Sequence, residues 1–262
     1  MNGFSEFLES GRACNEGIAF EVPDSWHQGR TAYGGFSSPL APDGAQQGGG
    51  HGPPPLRSGP LAMMAPVAGP VVARARVERT GRNATWVSAE ILGDKGLAFA
   101  ASFVFMGAVE SAIHINDRPV PNDLVPVEQA GVVSYSRHTP AFLANHFECR
   151  HARPPSDGKL PEMCRWVRLV DDAKLDPMVE MLLLGDALPP GVMPLMHAAI
   201  PVSTMHWQVN LLTPAPLTRG GWWLLRSVGD YAEQGCSSQR MAIWNADGAP
   251  VMAGMQPVAL LG

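Results

Sequence analysis

The sequence has few charges and no block of like charges. Charged residues make up 16% of its 262 residues, and the net charge is −5. Nucleic acids and anionic membranes are bound mainly through clustered basic residues, so neither is expected to be the main partner. The longest apolar runs fall far short of the ~20 residues that span a membrane, and no transmembrane segment is predicted.

Cysteine motifs and the common cofactor motifs are also lacking. The four cysteines show no CxxC spacing, and the histidines show no metal-ligand spacing, which argues against a zinc or redox site. No P-loop, GxGxxG or GxSxG motif occurs. Scattered thiols, and a start (MNGFSEFLES) that has no signal-peptide pattern, predict a cytoplasmic protein without a metal or redox cofactor.

What the sequence does contain is two similar series of strand-like segments, separated by loops rich in proline and glycine. In the first half they are residues 69–81, 84–93 and 97–107; in the second they are 203–212, 220–230, 238–248 and 249–261. Matching the turn glycine Gly96 to Gly248 gives an offset of 152 residues. We therefore predict two equivalent, mostly antiparallel halves, at 1–115 and 135–262, joined by a linker at 116–134.

Each half is expected to carry one helix ahead of its strands. Residues 171–188 have apolar side chains at helical spacing, with Asp176 as N-cap and Pro177 at the first helical position. The corresponding segment of the first half, 36–50, contains Pro39, Pro42 and several glycines. These residues oppose helix formation, so this helix is predicted to be short, distorted or absent.

Two stretches carry a resemblance to a known family. The segment WHQGRTAYGGF (26–36) and the block from Trp222 to Gln256 resemble the acyl-CoA thioesterase II-like family. The resemblance implies an α+β double-hotdog fold, in which each half is a curved antiparallel sheet around a central helix. It also implies an acyl-CoA substrate and hydrolysis of its thioester.

The resemblance further implies a catalytic Asp, a Thr or Ser, and a Gln that orient the attacking water. The Gln matches Gln256, and the hydroxyl position falls on Tyr231, or on Asp230 or Ser227 if the register differs. The Asp position is occupied by Thr204. Because a threonine hydroxyl cannot act as a base near neutral pH, another group must replace it or hydrolysis is impaired.

Two residues are candidates to replace the missing carboxylate. Asp186 matches an acidic residue of the family at the end of the second helix, where the helix dipole disfavours a carboxylate. His206 lies two residues after Thr204, so both side chains would share one face of a continuous strand. Asn210 could orient a carbonyl or lie at the strand's edge.

Tyr33, Gly34 and Gly35 are the candidate substrate-binding residues of the first half, and His206 and Asn210 those of the second. A glycine pair at the start of a helix exposes N–H groups that could bind a thioester oxyanion or a phosphate. The alternative is that Gly34 and Gly35 only permit a tight turn.

Three functions therefore remain open. The first is an acyl-CoA thioesterase, and the second is an acyl-CoA-binding hotdog protein impaired in catalysis because Thr204 replaces the Asp. An ordered carboxylate within reach of Gln256 would favour the first. The third is a hotdog dehydratase, which would need His206 paired with Asp186. Exposed sheet edges also allow a homodimer.

Overall fold

Strands from the two halves of the chain meet edge to edge in one antiparallel sheet. The computed structural model describes residues 3–43, 54–155, 159–171 and 175–262. The first half contributes β1 (Arg12–Cys14), β2 (Gly17–Val22), β3 (His27–Gln28), β4 (Thr31–Ala32), β5 (Leu56–Met63), β6 (Gly69–Thr80), β7 (Ala84–Gly93) and β8 (Gly96–Met106). The second contributes β9 (Phe147–His151), β10 (Glu162–Leu169), β11 (Val202–Thr204), β12 (His206–Leu211), β13 (Trp223–Glu233), β14 (Cys236–Asn245) and β15 (Pro250–Leu260).

The order of the strands is the same in both halves when read outwards from the centre. Within the described residues the sheet has thirteen strands: twelve follow the order β1-β2-β6-β7-β8-β5-β12-β15-β14-β13-β10-β9, and the thirteenth, β11, pairs with β15. β3 and β4 form a separate two-stranded pair. The central strands β5 and β12 are antiparallel partners, so the two halves are related by a pseudo-twofold axis between them.

The predicted duplication is confirmed at that axis. Ser58 of β5 pairs with Asn210 of β12, and Ser58 Oγ donates to Asn210 Oδ1 at 3.1 Å across a separation of 152 residues. The ends of β14 also lie 152 residues after the ends of β7. Gly96 and Gly248 both adopt positive φ, 90° and 85°, which glycine accommodates without strain.

In the part of the chain that the structure describes, four α-helices accompany the sheet: α1 (Phe4–Glu9), α2 (Gly34–Asp43), α3 (Ala141–His146) and α4 (Pro177–Gly185). Two short 3-10 turns in the same residues occupy Asp24–Trp26 and Met193–Leu195. One continuous hydrophobic core joins α2 and α4 to the buried side chains of both sets of strands. This arrangement is the predicted double hotdog, and α4 lies within the predicted helical segment.

The expectation that prolines break the first-half helix is wrong. Helix α2 extends over ten residues and contains Pro39, whereas α4 has nine. Its side chains Phe36, Ser38 and Leu40 are at most 2% exposed. Burial in the core stabilises this helix more than its proline content destabilises it. Residues 44–50 of the predicted segment lie outside the described residues.

Helix α4 begins at the predicted N-cap. The Asp176 carboxylate accepts hydrogen bonds from the backbone N–H groups of Met178 and Val179, at 2.8 and 3.4 Å. Asp176→Ala should therefore lower the free energy of unfolding by about 1 kcal/mol, as measured by urea denaturation, whereas Asp176→Asn should retain most of it. Equal stability of the two variants would contradict this role.

The segment between the halves crosses the second half of the sheet without forming a strand or a helix of its own. Two tryptophan indoles bind its backbone: Trp166 Nε1 donates to Val125 O at 2.9 Å, and Trp244 Nε1 donates to Arg118 O at 3.0 Å. Val127 and Ala130 pack into a second, smaller hydrophobic cluster there. The boundaries at 115 and 134 stay predictions. None of the described helices is long and apolar enough to cross a bilayer.

Candidate active site

The ends of the two central helices meet between the halves. Gly34 and Gly35 form the first turn of α2, and Asp186 is the C-cap residue of α4. Asp186 lies beside Gly34, and backbone hydrogen bonding from both glycines lowers the pKa of its carboxyl. The N-terminal end of α2 therefore binds a carboxylate of the opposite half, which the helix dipole favours.

The close approach explains why neither position has a side chain. A Cβ atom at Gly34 would lie 2.6 Å from Asp186 Oδ2. One at Gly35 would lie 2.4 Å from Tyr33 Cε2 and 2.7 Å from the carbonyl oxygen of Leu183. These glycines were expected to bind a substrate oxyanion or a phosphate, or else to permit a turn. Their N–H groups act on Asp186, and substrate binding by these glycines stays a prediction.

Tyr33 also stabilises the contact between the ends of α2 and α4. Its ring is buried and stacks on Phe142 with centroids 4.0 Å apart, and its Oη donates to Leu183 O at 2.9 Å. Burial, and then the nearby Asp186, raise the Tyr33 pKa well above its usual value. Tyr33 is therefore a neutral hydrogen-bond donor that holds the last turn of α4.

Asp186 also binds the candidate catalytic glutamine. Gln256 Nε2, on β15, donates to Asp186 Oδ1 at 2.5 Å and to Thr204 Oγ1 at 3.0 Å. Gln256 Oε1 accepts a hydrogen bond of 2.5 Å from Gln239 Nε2, on the neighbouring strand β14. Three of the predicted residues are thus brought together, because Gln256 bonds both Asp186 and Thr204.

The ionisation of Asp186 is set by two opposing effects. Burial disfavours the charged form and is the larger effect, while hydrogen bonds from Gln256, Gly35 and Gly34 favour it. Together they raise the pKa of Asp186 to about 6. The group is therefore ionised at neutral pH and can still accept a proton from a substrate or water.

Asp186, Thr204 and Gln256 line a cavity of about 710 Å³. Its walls are largely apolar and include Leu188, Pro189, Pro190, Met193, Met196 and Ile200, with His138 and His197 also present. A smaller cavity of about 200 Å³ lies on the side of Tyr33, Gly34 and Met63. Gln28, Val202 and Thr204 line both cavities, so Thr204 stands between them.

Family models match both halves of the chain. Residues 22–106 match the acyl-CoA thioesterase N-terminal domain, and residues 121–260 match the acyl-CoA thioesterase C-terminal domain. The chain belongs to the acyl-CoA thioesterase family. No curated protein matches this thioesterase-family chain.

Solved structures similar to this thioesterase-family protein extend over its whole length. A hot dog fold protein of unknown function from Alicyclobacillus acidocaldarius superposes with a TM-score of 0.85 at 18% identity, covering 100% of this chain and 99% of that one. The acyl-CoA thioesterase II TesB2 of Mycobacterium marinum gives 0.74 at 15% identity, covering 98% of both chains. The tesB protein of Mycobacterium avium subspecies paratuberculosis gives 0.76 at 14%, covering 99% and 98%. At these identities the similarity shows the fold.

Three predicted site residues lie elsewhere in the thioesterase fold. Tyr231 is 58% exposed on β13, and its Oη donates to Glu233 at 2.5 Å. Asn210 is exposed and bonded to Ser58 at the pseudo-twofold axis. His206 is exposed on β12. None of them lines either cavity at the Asp186 site.

The expectation that His206 shares a face with Thr204 is wrong because the strand is interrupted. Met205 separates β11 from β12. Its N–H donates to Pro257 O, and its carbonyl accepts from Met63 N–H. After this break Trp207 is buried and His206 is exposed, while Thr204 still faces Gln256. The His206–Asp186 pair that a dehydratase would need is therefore not formed.

Two residues of the candidate site were not identified from the sequence. Gln239 is 1% exposed and bonds Gln256, and Gln28 lines both cavities. A signal for Gln239 was present, because it alternates with Met241 and Ile243 and so shares their inward face. A polar residue among inward apolar ones needs hydrogen-bonding partners.

The duplicated halves do not carry the site twice. Gln239 pairs with Gln256 across β14 and β15, and the matching pair across β7 and β8 is Val87 and Phe103. Both of those side chains are buried and apolar. The buried Gln239–Gln256 pair therefore has no counterpart in the first half.

Proposed function

We propose that this protein hydrolyses acyl-CoA thioesters to a carboxylic acid and CoA, with Asp186 as the general base. The observation that carries the proposal is the distance of 2.5 Å between Asp186 Oδ1 and Gln256 Nε2. The carboxylate that is absent at position 204 is replaced by one from the end of α4. This supports the enzyme over a protein that only binds acyl-CoA.

The hydrogen bonds leave acceptor capacity on Asp186. A carboxylate offers about four lone-pair sites, and the hydrogen bonds from Gln256, Gly35 and Gly34 that lower its pKa number three. A water molecule in the cavity can donate to a remaining site. As its oxygen bonds the thioester carbonyl carbon, the water transfers a proton to Asp186, whose pKa of about 6 suits a base at neutral pH.

Thr204 supplies a hydrogen-bond donor to the same site. Its Oγ1 accepts from Gln256 Nε2, so its hydroxyl hydrogen is left to point towards the cavity. We assign it to the carbonyl oxygen, where negative charge develops. When the tetrahedral intermediate collapses, the carbon–sulfur bond breaks and Asp186 returns the proton to the CoA sulfur.

The resemblance implied that the Gln, the Asp and the hydroxyl residue orient the water together, and we assign Gln256 a narrower part in this. Its two N–H hydrogens are directed at Asp186 and Thr204, and its oxygen accepts from Gln239. In the proposed mechanism it holds the base and the hydroxyl in place. We place the acyl group in the larger cavity, because its walls are largely apolar.

Free-thiol release from acyl-CoAs of increasing chain length tests the function. We expect turnover with at least one chain length. On the best substrate, kcat/KM should rise with an apparent pKa of about 6, because Asp186 must be ionised. The rate at pH 5 should then be about one-tenth of that at pH 8.

Tyr231→Phe is the matched control, since Tyr231 lies outside the cavity lining. It should keep both the rate and the acid limb of the profile. Turnover that is no faster than spontaneous hydrolysis across the panel, from folded protein, would reject the thioesterase. Measurable acyl-CoA binding in that case would favour the catalytically impaired alternative.

A further inference from the structure

A relay of buried amide groups leads away from Asp186 into the sheet. Gln256 Oε1 accepts from Gln239 Nε2, and Gln239 Oε1 accepts from the backbone N–H of Gly191 at 2.8 Å. Gln239 and Gln256 are 1% and 2% exposed. No described residue other than Gly191 and Gln256 hydrogen-bonds the Gln239 amide.

The orientation of each amide in this relay is fixed by the backbone N–H of Gly191, at the end of the relay away from Asp186. A backbone N–H can only donate, so the Gln239 group that meets Gly191 must be its oxygen. The Gln239 nitrogen is then directed at Gln256, which must present its oxygen. Only this arrangement leaves Gln256 Nε2 facing Asp186 and Thr204.

Packing fixes the position of the Gly191 donor. A Cβ atom at Gly191 would lie 2.6 Å from the backbone nitrogen of Gly229 on β13, and one at Gly229 would lie 2.5 Å from Val192 Cγ1. The loop after α4 therefore contacts β13 backbone to backbone. Gly229 is the register partner of Gln239, so this contact brings the Gly191 N–H to the Gln239 side chain.

We propose that Gln239 is a positioning residue, which fixes the Gln256 amide so that both of its N–H groups stay on Asp186 and Thr204. The inference deepens the proposed function, on which its activity measurements rest. Without Gln239, the side-chain amide of Gln256 is free to flip, so that its oxygen and nitrogen exchange places. The turned amide would place an oxygen against the Asp186 carboxylate, and the site would lose two donors at once.

The expected effect on Asp186 has a definite sign. The Gln256 N–H stabilises ionised Asp186, so losing it part of the time raises the Asp186 pKa above about 6. The other titratable side chains near Asp186 are Tyr33, beneath it, and His138 and His197, in the cavity wall. Substitution of Gln239 leaves all three in place.

The test is Gln239→Met in the full chain. The side chain is similar in size but cannot form either hydrogen bond. Titration of the 13C-labelled Asp186 carboxyl by NMR, assigned with Asp186→Asn, should give a pKa at least half a unit higher than in the wild type. With the best acyl-CoA, kcat should fall at least tenfold at unchanged KM. Ser237→Ala, a buried residue on the same face of β14, should change neither.

A second comparison separates positioning from a general loss of structure. In a Gln256→Ala background, Gln239→Met should lower kcat by less than twofold, because the group that it positions is gone. Equal losses in both backgrounds, or an unchanged Asp186 pKa in the single variant, would overturn the proposal. If the wild type hydrolyses no acyl-CoA, the proposed function fails, but the NMR titration still decides the role of Gln239.

The fold should tolerate the substitution. Val87 occupies the matching place in the first half and is buried there. If Gln239→Met does not fold, Gln239→Val copies that residue and is expected to give the same pKa and kcat changes.

Discussion

Asp186→Asn is expected to lower acyl-CoA hydrolysis by about a thousandfold, the middle of the range for removal of a general base. The asparagine keeps the shape of the side chain and can still accept from Gly34 or Gly35, but it cannot take a proton from water. The measurement is kcat/KM by free-thiol release at pH 8. The residual rate should also lose the acid limb near pH 6.

Compared with the wild type, the Asp186→Asn variant should become more stable as pH rises. The folded-state pKa of Asp186 is about 6, above the ~3.9 of an unfolded aspartate. Between these two pH values the folded state therefore keeps a proton on Asp186 that the unfolded state has lost. The free energy of unfolding falls as pH rises from the unfolded pKa to the folded pKa. The total fall is about 3 kcal/mol, and the variant escapes it.

Urea denaturation at pH 4.5 and pH 7.5 captures about 2 kcal/mol of this fall, and Asp176→Asn at the other end of the same helix is the matched control. That control should keep both its activity and the pH dependence of the wild type, because Asp176 is an exposed cap. A stability change in Asp186→Asn that is independent of pH would show that Asp186 ionises normally. An active Asp186→Asn variant would remove it as the base.

Gly34→Ala and Gly35→Ala should separate activity from stability. At Gly34 the new Cβ meets the Asp186 carboxylate and the flexible end of Met63. We expect the carboxylate to be displaced and activity to fall about a hundredfold, with little loss of stability. At Gly35 the Cβ meets the Leu183 backbone, which cannot move without α4. We expect a loss of about 1 to 3 kcal/mol in the free energy of unfolding.

At both positions intrinsic helix propensity partly offsets any loss of stability, since alanine is the better helix former by about 1 kcal/mol. Gly107→Ala is the control, because a Cβ atom added at Gly107 would have no neighbouring atom within 4 Å. It should change neither activity nor stability. If Gly34→Ala retained full activity, the Gly34–Asp186 contact would not matter for catalysis.

The parts of the fold that followed from the sequence are those with local causes. Strands such as β7 and β14 alternate apolar and polar residues, and their hairpins contain glycines at positive φ. Helix α4 has both an apolar face and its own N-cap. The prediction failed for α2, because proline content is local, whereas the burial that stabilises this helix comes from the whole core.

The site was predictable only in part, for a similar reason. Asp186, Thr204 and Gln256 were identified, but their contacts depend on how α4 ends against α2. His206 was placed wrongly because a one-residue interruption at Met205 changes which side chains face inwards. Nothing in residues 203–212 alone indicates that interruption, since it depends on hydrogen bonds to Met63 and Pro257.

The unequal halves bear on why the chain is duplicated at all. In a homodimer of single hotdogs, every substitution appears in both copies, so a polar pair such as Gln239 and Gln256 would be imposed on both cores. In the fused chain, Val87 and Phe103 keep the first half's core apolar, while the second half carries the polar pair. The first half contributes Gly34 and Gly35, and the second contributes Asp186, Thr204 and Gln256, so the two can evolve separately but neither holds the proposed site alone.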